Sequence, residues 1–182
     1  GYPEGHKAQT RDKIIKAAAR VWKKEGYAGA SVDRVMEEAS LTRGGFYSHF
    51  KSKEDLLADV LTQSYVLDYA QDQRGKYSEE EIYKQIIEIY LSPEHRNHPG
   101  KGCPLSVLSA ETSRMSSTTR QKIDDLINRF REWFQIKSKK NDLAVLSLMV
   151  GAITLSRAVN DPILSDQILE QARAYIKNRE QS

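Results

Sequence analysis

The chain lacks most of what would mark a secreted, membrane-bound or metal-dependent protein. It has one cysteine, Cys103, among 182 residues. That excludes an internal disulfide framework and suits a reducing, cytoplasmic setting. No apolar run approaches the roughly 18 residues of a membrane span. The N-terminus, which opens with Gly rather than Met, is polar and basic without the apolar core of a signal peptide. Histidine is scarce, at four residues. His95 and His98 flank a loop with Glu94, but no second ligand cluster stands beside them, so neither a metal nor another cofactor is expected. HExxH, a glycine-rich loop after a strand, and a Ser-His-Asp order are all missing, and no enzymatic activity is expected. Strand-like alternation is also absent.

What remains is helical and unevenly charged. Apolar residues recur every three or four positions almost throughout. Residues 1–53 carry 11 Lys/Arg against 6 Asp/Glu, a net of +5, which leaves −2 for the rest of a +3 chain. A basic head on a slightly acidic body fits a polyanion partner; an ordinary solvated helix face is the plainer reading of the charge alone.

The periodicity predicts about nine helices. The first spans Thr10 to Glu25, buries Ile14, Ile15, Ala18, Val21 and Trp22, and stops at Gly26. Ser31 caps the second, whose buried face is Val32, Val35, Met36 and Ala39. Ser40-Leu41 makes a turn, and Thr42 caps a third helix ending near Phe50. Ser52 caps a fourth, running to about Asp72. Arg74-Gly75-Lys76-Tyr77 is a break. Ser78 with Glu81 forms a capping box for a helix to Leu91. Ser92 to Gly102 reads as a loop, Leu105 to Ser113 as a short helix, and Ser117 to Lys137 as a longer one. Residues 137–141 are a polar link. Asp142 to Ala158 is apolar on nearly every side, which predicts burial on every side and, in a chain this small, a partner subunit. Ser165 to Asn178 is the last helix. The fold class is all-α: a three-helix head, residues 1–53, and a helical body, residues 54–182.

The residues from Ser31 to Phe50 carry the most chemistry. Two short helices joined by a tight turn are the form of a helix-turn-helix, in which one helix braces while the other enters a DNA major groove. Thr42 and Arg43 stand at the start of the second, where base edges are read, and an Arg can grip guanine with two donors. Gly44-Gly45 costs helix stability, roughly 1 kcal/mol per glycine against alanine. Close approach of the backbone to a phosphate or base edge gives that cost a purpose. Phe46 and Phe50 face inward, leaving Tyr47 and His49 on the exposed side. Ser31 and Lys53, each at a helix N-terminus with a donor, suit backbone phosphates. The plain structural alternative is a tight helix corner with half-buried aromatics.

Ile14 to Phe50, and above all Leu41-Thr42-Arg43-Gly44-Gly45-Phe46-Tyr47-Ser48-His49-Phe50 with Lys51-Ser52-Lys53-Glu54 after it, resembles the N-terminal domain of TetR-family transcriptional regulators. The resemblance covers roughly residues 10–60. It implies a DNA-binding head that takes double-stranded operator DNA, and a body that binds a small-molecule effector. It also implies a homodimer formed by the last two helices, with the fourth helix carrying the effector's signal to the head. It supports Thr42, Arg43, Gly44, Gly45, Tyr47 and His49 as recognition contacts, and Ser31 and Lys53 as phosphate contacts. Arg43 stands where Lys is common in the family, so base preference does not carry over. Gly102-Cys103-Pro104-Leu105 with Ala110-Glu111, and Gly151 to Ala158, resemble body segments of the family.

In the body, Tyr65, Tyr69, Tyr90, Cys103, Trp133, Phe134 and Met149 are candidates to line a pocket for a hydrophobic effector, each against the plainer reading of core or interface. The overall expectation is a repressor released by such a molecule. Cys103 also precedes a helix N-terminus, where a thiolate is stabilised. That raises a redox- or electrophile-sensing alternative beside the plainer reading of a small buried hydrophobe. An adaptor that binds proteins through its apolar helix, without DNA, is the alternative of another class.

Overall fold

The computed structural model describes residues 4–135 and 142–180. Among the described residues there are ten α-helices, two 3-10 segments and no β-strand beyond an isolated bridge between Arg74 and Tyr77. The polar link expected at residues 137–141 lies outside them.

Helix α1, Glu4–Glu25, begins six residues before the expected Thr10. The Thr10 hydroxyl donates to the carbonyl of His6 at 2.9 Å, as a threonine inside a helix does. Gly26 ends α1 at φ +80°, a conformation that costs glycine little. In α2, Val32–Glu38, Ser31 accepts the Arg34 N–H at 3.1 Å. The chain leaves α2 through Ser40 at φ 54°. Ser40 N–H donates to Glu37 at 2.8 Å and Leu41 N–H to Met36 at 2.9 Å, the paired bonds of a Schellman stop with serine where glycine is usual.

The expected third helix is a 3-10 segment, Arg43–Ser48, and the Thr42 side chain makes no capping bond. Two adjacent glycines weaken α-helix here, while Phe46 and Phe50, 0% and 2% exposed, peg the segment into the head. The long fourth helix is also corrected. It is two helices, α3 Lys53–Thr62 and α4 Tyr65–Gln73, separated where Gln63 is extended. Ser64, fully buried, caps α4 through the Leu67 N–H at 3.3 Å. Arg129 takes the freed Thr62 carbonyl at 2.7 Å, so a side chain from a distant helix satisfies the break.

Helix α5, Glu79–Tyr90, has the expected reciprocal capping box. The stretch expected to be loop contains helix α6, Pro93–Asn97, capped by Ser92 with Pro93 at its first position, and a 3-10 turn, Pro99–Lys101. Then follow α7, Leu105–Thr112, α8, Ser117–Gln135, α9, Asp142–Ala158, and α10, Pro162–Glu180.

Two buried clusters organise these elements. The head cluster unites Ile14, Trp22, Val35, Met36, Phe46 and Phe50 with Leu56, Leu57, Val60 and Leu61 of α3, and takes in Leu108 of α7. The body cluster draws on α4, α5 and α7–α10. Within the single chain, helix α9 is not covered on every face. Leu146, Met149 and Ile153 are buried, but Leu143 and Leu155 are exposed, as are Ile163, Leu164 and Tyr175 of α10. Among the described residues, no helix is long and apolar enough to cross a membrane.

Candidate nucleic-acid interface

The 3-10 segment is anchored in the head by Phe46, and its remaining residues are exposed or half-buried. Tyr47 is 64% exposed, its ring edge-on to the buried Phe46 at 5.2 Å. Thr42, Arg43 and Gly44 are exposed as well. A Cβ built on Gly44 meets nothing within 4 Å, and one on Gly45 meets only the flexible end of Met36, at 3.7 Å. Neither glycine has a left-handed φ. Internal packing and backbone geometry therefore leave room for a side chain at both positions.

Arg43 donates to the Asp33 carboxylate of α2 at 3.0 Å, with both side chains largely exposed. A neighbouring ion-pair network ties α1 to α2: Arg34 reaches Glu25 at 3.0 Å and Glu38 at 3.4 Å, and Arg20 reaches Glu38 at 3.2 Å. Those arginines are neutralised within the head, so the basic excess is concentrated elsewhere on it. Ser31 is exposed, with its oxygen on the α2 N-terminus.

Two expected contacts lie deeper than the sequence indicates. His49 is half-buried rather than exposed, and its Nδ1 is shut from solvent without a partner among the described residues. Burial, then the charges of Lys7 and Arg11, hold its pKa below the usual histidine value. Lys53 is half-buried as well. Its ammonium donates to the Tyr27 carbonyl and lies 4.1 Å from the Tyr27 ring centre, and burial lowers its pKa. In this conformation Lys53 braces the head; the N-terminus of α3 beside it stays exposed through Lys51 and Ser52.

The body candidates do not form one lining. Tyr90, Cys103, Phe134 and Met149 belong to the closely packed body core, with Tyr69 and Trp133 packed against it, whereas Tyr65 is exposed. Tyr69 donates to Gln85 at 2.8 Å, and Arg74 lies over the Trp133 ring at 4.9 Å. A cavity of about 310 Å³ lies elsewhere, lined by Arg96, Asn97, Ser156, Arg157, Pro162 and Ser165 among others. It shares no residue with the expected set. Cys103 is fully buried, and burial pushes its thiol pKa up, the reverse of the thiolate that a sensor requires.

Sequence reasoning missed the polar cluster around this cysteine. The His95 Nδ1 faces the Tyr90 carbonyl at 2.6 Å, and its Nε2 faces the Cys103 N–H at 3.1 Å. The ring must therefore be neutral, donating from Nδ1 and accepting at Nε2; burial, first of all, lowers its pKa to about 4. Arg157 of α9 donates to the carbonyls of His95 and Arg96 at 2.7 and 3.0 Å and to Ser106 at 3.1 Å. Lys23 of α1 reaches the Gly102 carbonyl at 2.8 Å, its pKa lowered by burial to about 8. No local pattern announces these pairings, since the partners lie 51 residues apart for Arg157–Ser106 and 79 for Lys23–Gly102.

A braced pair of short elements that exposes Thr42, Arg43, Gly44 and Tyr47 from a three-helix head is that of a helix-turn-helix transcriptional regulator. Comparison with known proteins agrees. The family model for bacterial regulatory proteins of the tetR family matches residues 14–60. An uncharacterized HTH-type transcriptional regulator of Pseudomonas putida, TtgW, is 31% identical over 91 residues, 48% of this chain and 68% of TtgW. The HTH-type transcriptional repressor DhaR of Mycobacterium sp. (strain GP1) is 25% identical over 124 residues, 68% of this chain and 61% of DhaR. In overall fold, the crystal structure of a TetR transcriptional regulator from Legionella pneumophila superposes with a TM-score of 0.75 at 19% identity, covering 92% of this chain and 95% of that one. The chain belongs to the TetR family of DNA-binding transcriptional regulators.

Proposed function

We propose that the chain is a ligand-responsive repressor that acts as a homodimer, its two heads reading half-sites about 34–36 Å apart, or a multiple of that, in successive major grooves. The observation that carries the reading is the pair Gly44-Gly45. Among the described residues nothing fills the space beside them, which leaves the backbone open to close approach by a DNA backbone or base edge. Arg43 and Thr42 read base edges, Tyr47 lies along the groove wall, and Ser31 with the α3 N-terminus holds phosphates. His49 contributes from the edge of the site, its pKa held below the usual histidine value by burial. Lys53 acts mainly by holding the α1–α2 turn, and reaches DNA only after giving up the Tyr27 carbonyl.

The exposed Leu143, Leu155, Ile163, Leu164 and Tyr175 on α9 and α10 support a partner on that face. The name of DhaR, a repressor, supports repression over activation. An effector entering among Tyr69, Tyr90, Trp133, Phe134 and Met149 would have to part a packed core, and would favour a body conformation in which the heads no longer match the operator.

The test is a gel-shift series against DNA flanking the gene, across salt concentrations. Specific binding with a steep salt slope is expected. Arg43→Ala relaxes base preference at one position of each half-site, by about 1–3 kcal/mol, whereas Lys53→Ala weakens binding to all sequences alike. Absence of any preferred sequence would favour the adaptor reading.

A further inference from the structure

Besides the packing of α1 on the Pro99–Lys101 turn and of Leu108 in the head cluster, to which α3 also belongs, two carboxylates clasp the head to the body at separate places. One is on α3. Its Glu54 carboxylate accepts the Ser116 N–H at 3.0 Å and the Thr119 hydroxyl at 2.6 Å, just ahead of and within α8. The other is the turn between α1 and α2. There Glu111, in the last turn of α7, accepts the backbone N–H groups of Tyr27 at 3.0 Å and Ala28 at 2.9 Å. A carboxylate near a helix C-terminus works against the helix dipole, so the position of Glu111 is favoured by the two donors it meets, not by its own helix. The same turn is held from the head's side by Lys53 on the Tyr27 carbonyl. Close by, Lys23 reaches Gly102, and a Cβ on Gly100 would lie 3.2 Å from the Arg20 carbonyl.

Each added clasp narrows the range of angles that the head can take on the body, and a clasp on the α1–α2 turn acts at the end of α1 nearest the recognition segment in sequence. We propose that Glu111 is a positioning residue for operator binding: by clasping the Tyr27–Ala28 turn it sets the angle of the head on the body, and so the spacing of half-sites the dimer accepts. Glu111 touches no DNA in this arrangement. It acts through the orientation of α1 and α2, on which the recognition segment is carried. The inference rests on the dimeric operator reading above.

The test uses the whole chain and a site selected from a random duplex library, rebuilt with one or two base pairs added or removed between half-sites. The parent is expected to discriminate on the order of tenfold against each altered spacing, within the usual range of coupling between sites. Glu111→Ala flattens that profile to about twofold while leaving the salt slope unchanged, since the phosphate contacts are the same. Glu111→Gln, which keeps one acceptor oxygen, falls between and serves if the alanine variant does not fold. Amide exchange at Tyr27 and Ala28 quickens in both variants. A variant profile as sharp as the parent's overturns the proposal. A parent that binds but ignores spacing overturns the dimeric reading instead, and the parent data alone reveal it.

Discussion

The head and the body are both helical, but they are held together by different means. Both regions cap their helices locally, as Ser31, Ser52 and the Ser40 turn do in the head, but the head's longer side-chain pairings, such as Arg20–Glu38 and Lys53–Tyr27, span 18 and 26 residues. The body relies on long-range polar contacts, with Arg157 reaching 61 and 62 residues back to Arg96 and His95 and Arg129 reaching 67 back to Thr62. The head's contacts therefore close over short stretches of chain, whereas the body's depend on segments far apart in sequence.

The two tryptophans report on the two regions separately, Trp22 from the head core and Trp133 from the edge of the body core. The largest expected effect is in the head. Phe46→Ala empties the centre of its core at a cost of about 3–5 kcal/mol. Trp22 fluorescence should then report unfolding at lower denaturant than Trp133; coincident transitions would mean that the regions fold as one unit. Next in size is a pH effect in the body. The His95 pKa is about 4 in the folded chain, below its usual 6.5, so the unfolded chain binds more protons between those values. The stability His95 contributes is complete above pH 6.5 and is lost as pH falls toward 4, about 2 kcal/mol of it by pH 5. His95→Gln should be less stable at pH 7 and flatter between pH 6.5 and 5 in denaturation experiments. The smallest effect returns to the head. Ser40→Gly relieves a left-handed residue and should raise stability by about 1 kcal/mol, seen as a higher midpoint of thermal unfolding.

The same contrast explains what could be read from the sequence. The Ser78–Glu81 box, the Gly26 stop and the Phe46/Phe50 pair are local patterns with local causes, and they stand where the residues indicate. The break at Gln63–Ser64 was hidden because apolar spacing continues across it, and Arg129, from a distant helix, satisfies the freed carbonyl. The helix and turn within residues 92–102 were hidden by prolines and glycines that serve there as a helix start and a close approach to α1. The exposed residues Thr42, Arg43, Gly44 and Tyr47 were legible as a motif. The partners of Arg43, Lys53 and Glu111 were not, since each is set by tertiary placement.

The central claim is that the open space beside Gly44 serves the close approach of DNA. Gly44→Ala tests it most directly, with thermal stability and affinity for the selected operator measured on the same protein. The expected result is unchanged or slightly raised stability, since the new methyl group meets nothing within 4 Å, together with operator binding weakened on the order of tenfold, about 1.4 kcal/mol. Parent-like operator affinity in a stably folded Gly44→Ala protein would contradict it.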